Sequence, residues 1–379
     1  MLFIPAGEIQ TGMRLAKPIY NKNGVLLYER NSPLTTQSIN SIQNFGLIGI
    51  YILEPAEPLP PLTKEDLEFE QNQTVYMFHL KECFNAIQKN KSIDSFSGII
   101  TDIIKKYGIL NHRINFNQNL RSADDFVYKH AISSAILTAM ISHSLGLSPK
   151  QQEMVINAAL LCGFGYIFVP RNIMEKGNEL EKGEMDIVQQ SLERGLFFLE
   201  PYTEAFDLIK NYIYQGNSFQ KATTNNDEVL NLQCDILKVA NHYDNITGMI
   251  LGHTPESEIV AMKKLSEHPE EFNPVVVKAL ASCIHIIPEG ASVDLSTGDK
   301  GIVLAENTND YLKPLILRLS DNQLYDLSNP VISNHMHIID IMKTMDNRIQ
   351  IDEETLKHFS ADVHIKEVAD RFRKVLYNK

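Results

Sequence analysis

The sequence predicts a mainly α protein with a small α+β unit ahead of the helices and a short β segment behind them. Three observations carry this prediction. An Asn-Gly turn lies between short apolar runs near the N-terminus, apolar residues recur at helical spacing from about Glu65, and strand-like runs flank turn residues beyond Pro274.

Met13 to Tyr20 and Val25 to Tyr28 bracket Asn21-Lys22-Asn23-Gly24, whose Asn-Gly ending is a strong hairpin signal. Leu34 to Phe45 suits a short helix capped at Thr35 or Thr36 and closed by Gly46, and Leu47 to Leu53 reads as a strand. Pro55, Pro58, Pro60 and Pro61 mark a stiff linker. Beyond it, Val75, Phe78, Leu80, Phe84 and Ile87 approximate one helix face, as do Phe96, Ile99, Ile100, Ile103 and Ile104. Asp125 to Leu145 predicts a long helix stopped by Gly146. Further helices are predicted over Gln151 to Leu161, Lys182 to Phe198, Ala205 to Ile213, Asp235 to Ile246 and Val275 to Ile286. Ala291 to Leu295, Gly301 to Leu304 and Pro314 to Leu319 read as strands, and Lys366 to Tyr377 as a closing amphipathic helix.

Composition narrows the function classes. A chain of 379 residues with 44% hydrophobic and 22% charged residues is globular and long enough for two or three units. The expected divisions are an α+β unit over 1–55, a Pro-rich linker with connecting helices over 56–115, a helical domain over 116–290, and a β segment with a helix over 291–379. A net charge of −12 argues against nucleic acid, where basic patches supply most of the affinity. No run approaches the ~20 apolar residues of a membrane span. The start MLFIPAGEIQTGM lacks the basic and apolar regions of a signal peptide, so a cytoplasmic location is expected. Cys83, Cys162, Cys234 and Cys283 form no C-x-x-C pair and are expected as reduced thiols. The chain contains no G-x-S-x-G, Walker loop or G-x-G-x-x-G. His335 and His337 would share a strand face if extended, but have no third ligand nearby.

The most informative segment is Leu160 to Pro170, LLCGFGYIFVP. It resembles the HD-GYP family of cyclic-dinucleotide phosphodiesterases, whose matching segment runs roughly L-L-H-D-I-G-K-I-x-V-P. Leu160, Leu161, Gly165, Ile167, Val169 and Pro170 match. Cys162 and Gly163 stand at the His-Asp metal-ligand positions, and Tyr166 stands at the Lys that faces substrate phosphate. The resemblance runs from about Asp125 to Leu319. Asp125 to His130 resembles the family's Y-x-H motif and keeps His130, with Phe126 where members using a third metal have an acid. Ser191-Leu192 occupy the later His-Pro, and Tyr212 to Phe219 contains neither the His-His-Glu nor the Gly-Tyr-Pro signature. ILKVANHYD, from Ile236 to Asp244, matches I-L-x-V-A-D-x-Y-D with Asn241 at the last metal Asp and Asp244 retained. Pro288 to Gly298, PEGASVDLSTG, matches the family's closing P-x-G-x-x-V-x-L-x-x-G. GMRLAKPIYNKNGVLL also resembles the small domain that precedes some HD-GYP modules.

The resemblance implies an HD-type helical bundle that lacks most of the ligands of a two- or three-ion hydrolytic site. One imidazole cannot hold a metal pair, so no catalytic residue, no metal and no cofactor is expected. His130 is expected to be a hydrogen-bonded interior histidine, Cys162 a small buried residue, and Tyr166 filler for the lost substrate-facing side chain. Cys162 and His242 are chemically able to ligate, but on a helix His242 points about 100° from Asn241. The expected function is an inactive regulatory or protein-interaction module in cyclic-dinucleotide-related signalling. Its partner is a protein of unknown identity, with a homodimer through the helices between Glu65 and Tyr107 as one form. The competing class is a phosphodiesterase acting on cyclic di-GMP or a related nucleotide through an atypical site. A sensor that binds nucleotide without cleaving it would need basic residues over the cleft, and only Arg171, Lys176 and Lys182 lie near it in sequence.

Overall fold

A computed structural model describes residues 2–20, 25–53, 64–91, 96–177, 179–216, 228–307 and 310–341. The turn Asn21 to Gly24, the linker prolines, Asn217 to Phe219 and the segment Lys366 to Tyr377 lie outside the described residues.

The N-terminal unit contains β1 (Leu2–Pro5), β2 (Arg14–Leu15), β3 (Ile19–Tyr20), β4 (Leu26–Tyr28), α1 (Thr36–Asn44) and β5 (Gly49–Leu53). β3 and β4 pair across the Asn-Gly segment, Ile19 opposite Tyr28. Thr35 caps α1, its hydroxyl accepting from the Ser38 backbone N–H. β5 is buried along its whole length because β1 and β2 flank it in a three-stranded antiparallel sheet. It begins two residues later than predicted, at Gly49, which has no side chain to collide with the Phe3 ring. β1 carries too few residues for period-2 alternation to register and was not predicted.

The helical body comprises α2 (Lys64–Gln88), α3 (Phe96–Lys106), α4 (Phe126–Ser144), α5 (Pro149–Leu161), α6 (Arg171–Met174), α7 (Lys182–Leu199), α8 (Phe206–Gly216), α9 (Glu228–Thr247), α10 (Glu258–Glu267) and α11 (Pro274–Cys283). α4 is buried on every side from Ala131 to Ser142, as befits a helix apolar all round, and packs between α5 and α9. Ser148 and Gln151 form a reciprocal capping box at the start of α5, with Pro149 in its first turn. α10 was not predicted. The α11 helix ends at Cys283, and Ile284 pairs as an isolated bridge with Ile114.

The apolar positions expected to form a stripe on α2 do not share a surface. Phe84 lies in the core against Tyr128 and Phe164, whereas Val75 is 54% exposed. The buried side of α2 is carried by Phe69, Tyr76, Leu80, Phe84 and Ile87.

The C-terminal part holds β6 (Ser292–Leu295), β7 (Lys300–Ala305), β8 (Leu315–Arg318), β9 (Gln323–Asp326), α12 (Pro330–Ser333) and β10 (Ile338–Ile341). The five strands form one antiparallel sheet in the order β10-β6-β7-β8-β9, of which β9 and β10 were not predicted. His335 and His337 lie between α12 and β10 rather than on a strand, and the His337 N–H donates to Ser296 Oγ. The fold is therefore mainly α, with strand segments at both ends. No helix among the described residues is long and apolar enough to cross a membrane.

Candidate functional site

Most of the motif positions scattered through the sequence, among them His130, Cys162, Gly163, Tyr166 and Asn241, line one cleft of about 540 Å³. α4 brings Phe126, Val127 and His130 to it, the turn after α5 brings Cys162, Gly163 and Tyr166, and α9 brings Asn241, His242 and Asn245. α8 adds Tyr212 and Ile213, and the rim is completed by His253, Glu256 and Lys264.

The turn carrying Cys162 to Tyr166 sits this deep because two glycines meet. A Cβ on Gly165 would lie 2.5 Å from Leu192 Cα and 2.7 Å from Ser191 O, and one on Gly195 would lie 2.7 Å from Gly165 Cα. α7 thus crosses the turn backbone against backbone. Ser191 is buried at this crossing, its Oγ donating to Ile187 O at 2.8 Å instead of reaching the cleft, which its neighbour Leu192 lines.

Beneath the floor lies a buried ionic cluster. Asp244 is completely buried and receives Arg121 Nη2 at 2.7 and 2.9 Å on its two oxygens, with Gln118 Nε2 donating at 2.9 Å. His130 Nδ1 lies 2.6 Å from Asp244 Oδ2. Burial alone would push the Asp244 carboxyl up, but Arg121 and His130 outweigh it and hold it well below the usual carboxylate range. The carboxylate therefore accepts, which fixes His130 Nδ1 as its donor, and the same residue lines the cleft. Lys17 Nζ donates to Gln118 O at 2.6 Å, so the N-terminal unit is tied to the same cluster.

Sequence reasoning missed Arg121, Gln118 and Lys17. Nothing in their spacing reports that Gln118 and Arg121 share a partner more than 100 positions away at Asp244, or that Lys17 reaches Gln118 from as far.

Asn241 Nδ2 donates to Leu237 O at 2.8 Å and contacts Cys162 Sγ at 3.8 Å. Burial pushes the Cys162 thiol up to about 12, the Asn241 amide offsetting only part of this, so the sulfur is a protonated thiol at neutral pH. Burial also raises the Tyr166 and Tyr212 phenols. His242 packs its ring on Phe272 at 4.7 Å between centroids, and burial lowers its pKa. Lys264 pairs with Glu256 at 2.8 Å on the rim. Arg171 pairs with Glu175 and Lys176 with Glu184, and neither they nor Lys182 lines the cleft.

The metals of an HD-type site need several anionic or imidazole donors around a shared point. Of the motif positions at the cleft, His130 presents an oriented imidazole, Cys162 a neutral thiol and Asn241 an amide, while Gly163 offers no donor. Among the described residues, no group of three or more His, Cys, Asp or Glu side chains is placed to hold a metal ion.

No family model matches the chain. A solved HDG"Y"P protein from Bdellovibrio bacteriovorus aligns with a TM-score of 0.44 and 14% identity, covering 74% of this chain and 97% of that one. A cyclic di-GMP phosphodiesterase of Pseudomonas aeruginosa is 24% identical over 205 residues, 52% of this chain and 49% of that protein. The chain thus spans about half the length of that curated relative. The motif frame from Asp125 to Gly298, the helical core that gathers most of its positions into one cleft, and this relative agree in a likeness to HD-GYP proteins.

Proposed function

We propose that this protein is a catalytically inactive HD-GYP-like module that works by association in cyclic di-GMP-related signalling, in the cytoplasm. The observation that carries the reading is the donor set of the cleft. His130 is the one motif position with an oriented imidazole, and Cys162, Gly163 and Asn241 supply no anionic ligand at neutral pH. A metal pair does not fit these residues, and no hydrolytic step is derived through one. The buried carboxylate that remains, Asp244, is consumed by Arg121, Gln118 and His130.

In this reading the helical domain over 116–290 is a scaffold, flanked by the units at 1–55 and 291–379, and its partner is a protein. A second copy docking on α2 would meet Leu67 and Val75, which are 42% and 54% exposed. Light scattering on the full chain distinguishes a homodimer from a partner of another kind.

The test of inactivity is hydrolysis of cyclic di-GMP and of bis(p-nitrophenyl) phosphate with Mn, Fe(II) or Zn in excess. The expected result is no turnover above the metal-only control. Turnover that chelation abolishes overturns the proposal in favour of a phosphodiesterase with an atypical site.

A further inference from the structure

We propose that the cleft is a binding site for an uncharged, planar heteroaromatic molecule rather than for a phosphodiester. The inference rests on the metal-free reading of the same cleft. Its volume, about 540 Å³, falls within the range of small-molecule sites.

The walls are suited to a flat ring. Phe126, Val127, Leu192, Ile213, Ile246 and Leu251 supply apolar surface, and the Tyr166 and Tyr212 rings add aromatic faces. The polar groups that converge on this surface include side-chain amides and an imidazole, complementary to a heteroaromatic edge. The Asn241 amide hydrogens are directed to Leu237 O and Cys162 Sγ, which leaves Oδ1 as an acceptor. The His130 imidazole, held by its Nδ1 bond to Asp244, lines the cleft, and Asn245 stands exposed at the rim. Such a set orients a ligand carrying N–H or O–H donors and ring acceptors.

The charges argue against a phosphodiester. Lys264 is neutralised by Glu256, which also faces His253 at 3.9 Å, and no other lysine or arginine among the described residues lines the cleft. Tyr166 stands at the family's phosphate-facing lysine position. A phosphate placed here would surrender its hydration without gaining an unpaired lysine or arginine. A neutral ring avoids that loss and still buries its faces.

The experiment is calorimetry and saturation-transfer NMR on the full chain. The neutral probes are adenosine, guanosine, caffeine and lumichrome, and the charged ones are AMP, GMP and cyclic di-GMP. The expected result is that at least one neutral nucleoside binds about tenfold or more tighter than its monophosphate. Asn245→Trp, at an exposed position, should plug the cleft and abolish binding with an unchanged melting temperature, and Asn241→Leu should weaken it about tenfold. Equal or tighter binding of a monophosphate or of cyclic di-GMP overturns the inference. So does the failure of every neutral probe to bind below about 1 mM, or binding that survives Asn245→Trp. Bound metal with hydrolysis contradicts the metal-free reading instead, whereas an inactive, metal-free protein that binds none of the neutral probes contradicts this inference alone.

Discussion

His130 Nδ1 lies 2.6 Å from Asp244 Oδ2, and through that one bond the cleft surface is fixed to a fully buried ionic cluster. Two residues 114 positions apart, one on α4 and one on α9, meet because both helices pack along their length in the core. The pairing gives His130 a structural partner that does not depend on a metal.

Asp244→Asn should destabilise the fold by about 3–5 kcal/mol, because it leaves the buried Arg121 guanidinium without a counter-charge. Urea denaturation measures this. The pH dependence has a definite sign, since the carboxyl is held below its unfolded value of ~3.9. Its contribution is present in full above that unfolded value and is lost as pH falls toward the depressed folded one. The wild-type protein should therefore lose stability more steeply than Asp244→Asn as pH falls below about 4.

Gly165→Ala and Gly195→Ala should each cost about 1–3 kcal/mol by forcing apart the turn and α7. Gly195 is the sharper case, because Ala in a helix otherwise gains about 1 kcal/mol over Gly. Thermal denaturation of Gly195→Ala that shows stabilisation would contradict the backbone contact.

The four cysteines are buried and none is in a disulfide among the described residues. Burial raises Cys162 and Cys234 to about 12 and Cys283 to about 11, so the native protein should react with Ellman's reagent slowly at pH 8. A thiol near 12 holds roughly a thousandfold less thiolate there than an ordinary cysteine. Unfolding in guanidinium should release four fast-reacting thiols, and a fast native phase at Cys162 would contradict its burial.

Cys162→His combined with Gly163→Asp should restore one motif without restoring hydrolysis, since Ser191 and Asn241 still stand at the other ligand positions. The new carboxylate beside Tyr166 and Val127 should cost about 1–3 kcal/mol if it is left unpaired. Turnover from this double variant would show that the cleft needs less to complete it.

Much of this architecture was legible in the chain. α1, α4, α5 and α7 fall within two residues of their predicted bounds, because their caps and stops are local, as Thr35, Ser148 and Gly146 illustrate. The positions of the cleft were legible through motif spacing, since Ile236 to Asp244 and Leu160 to Pro170 each fix a turn or helix face. The ionic cluster was not, because Arg121, Gln118 and Lys17 acquire meaning only when tertiary packing brings them to Asp244 and its neighbours. α2 was misread for a related reason. Val75 and Phe84 both look apolar in sequence, but only the packing of α4 and the turn at Phe164 decides which is covered. The strands β9 and β10 escaped because each is four residues long and carries polar side chains such as Gln323 and Asp340.

The central claim is that the cleft's donors do not assemble a metal pair, and elemental analysis tests it most directly. Full-length protein would be incubated with Mn, Fe(II) or Zn under anaerobic conditions, desalted and measured by inductively coupled plasma mass spectrometry. The account predicts less than about one tightly held ion per chain, unchanged in His130→Ala. Two or more ions per chain that survive desalting and are lost in His130→Ala would contradict it.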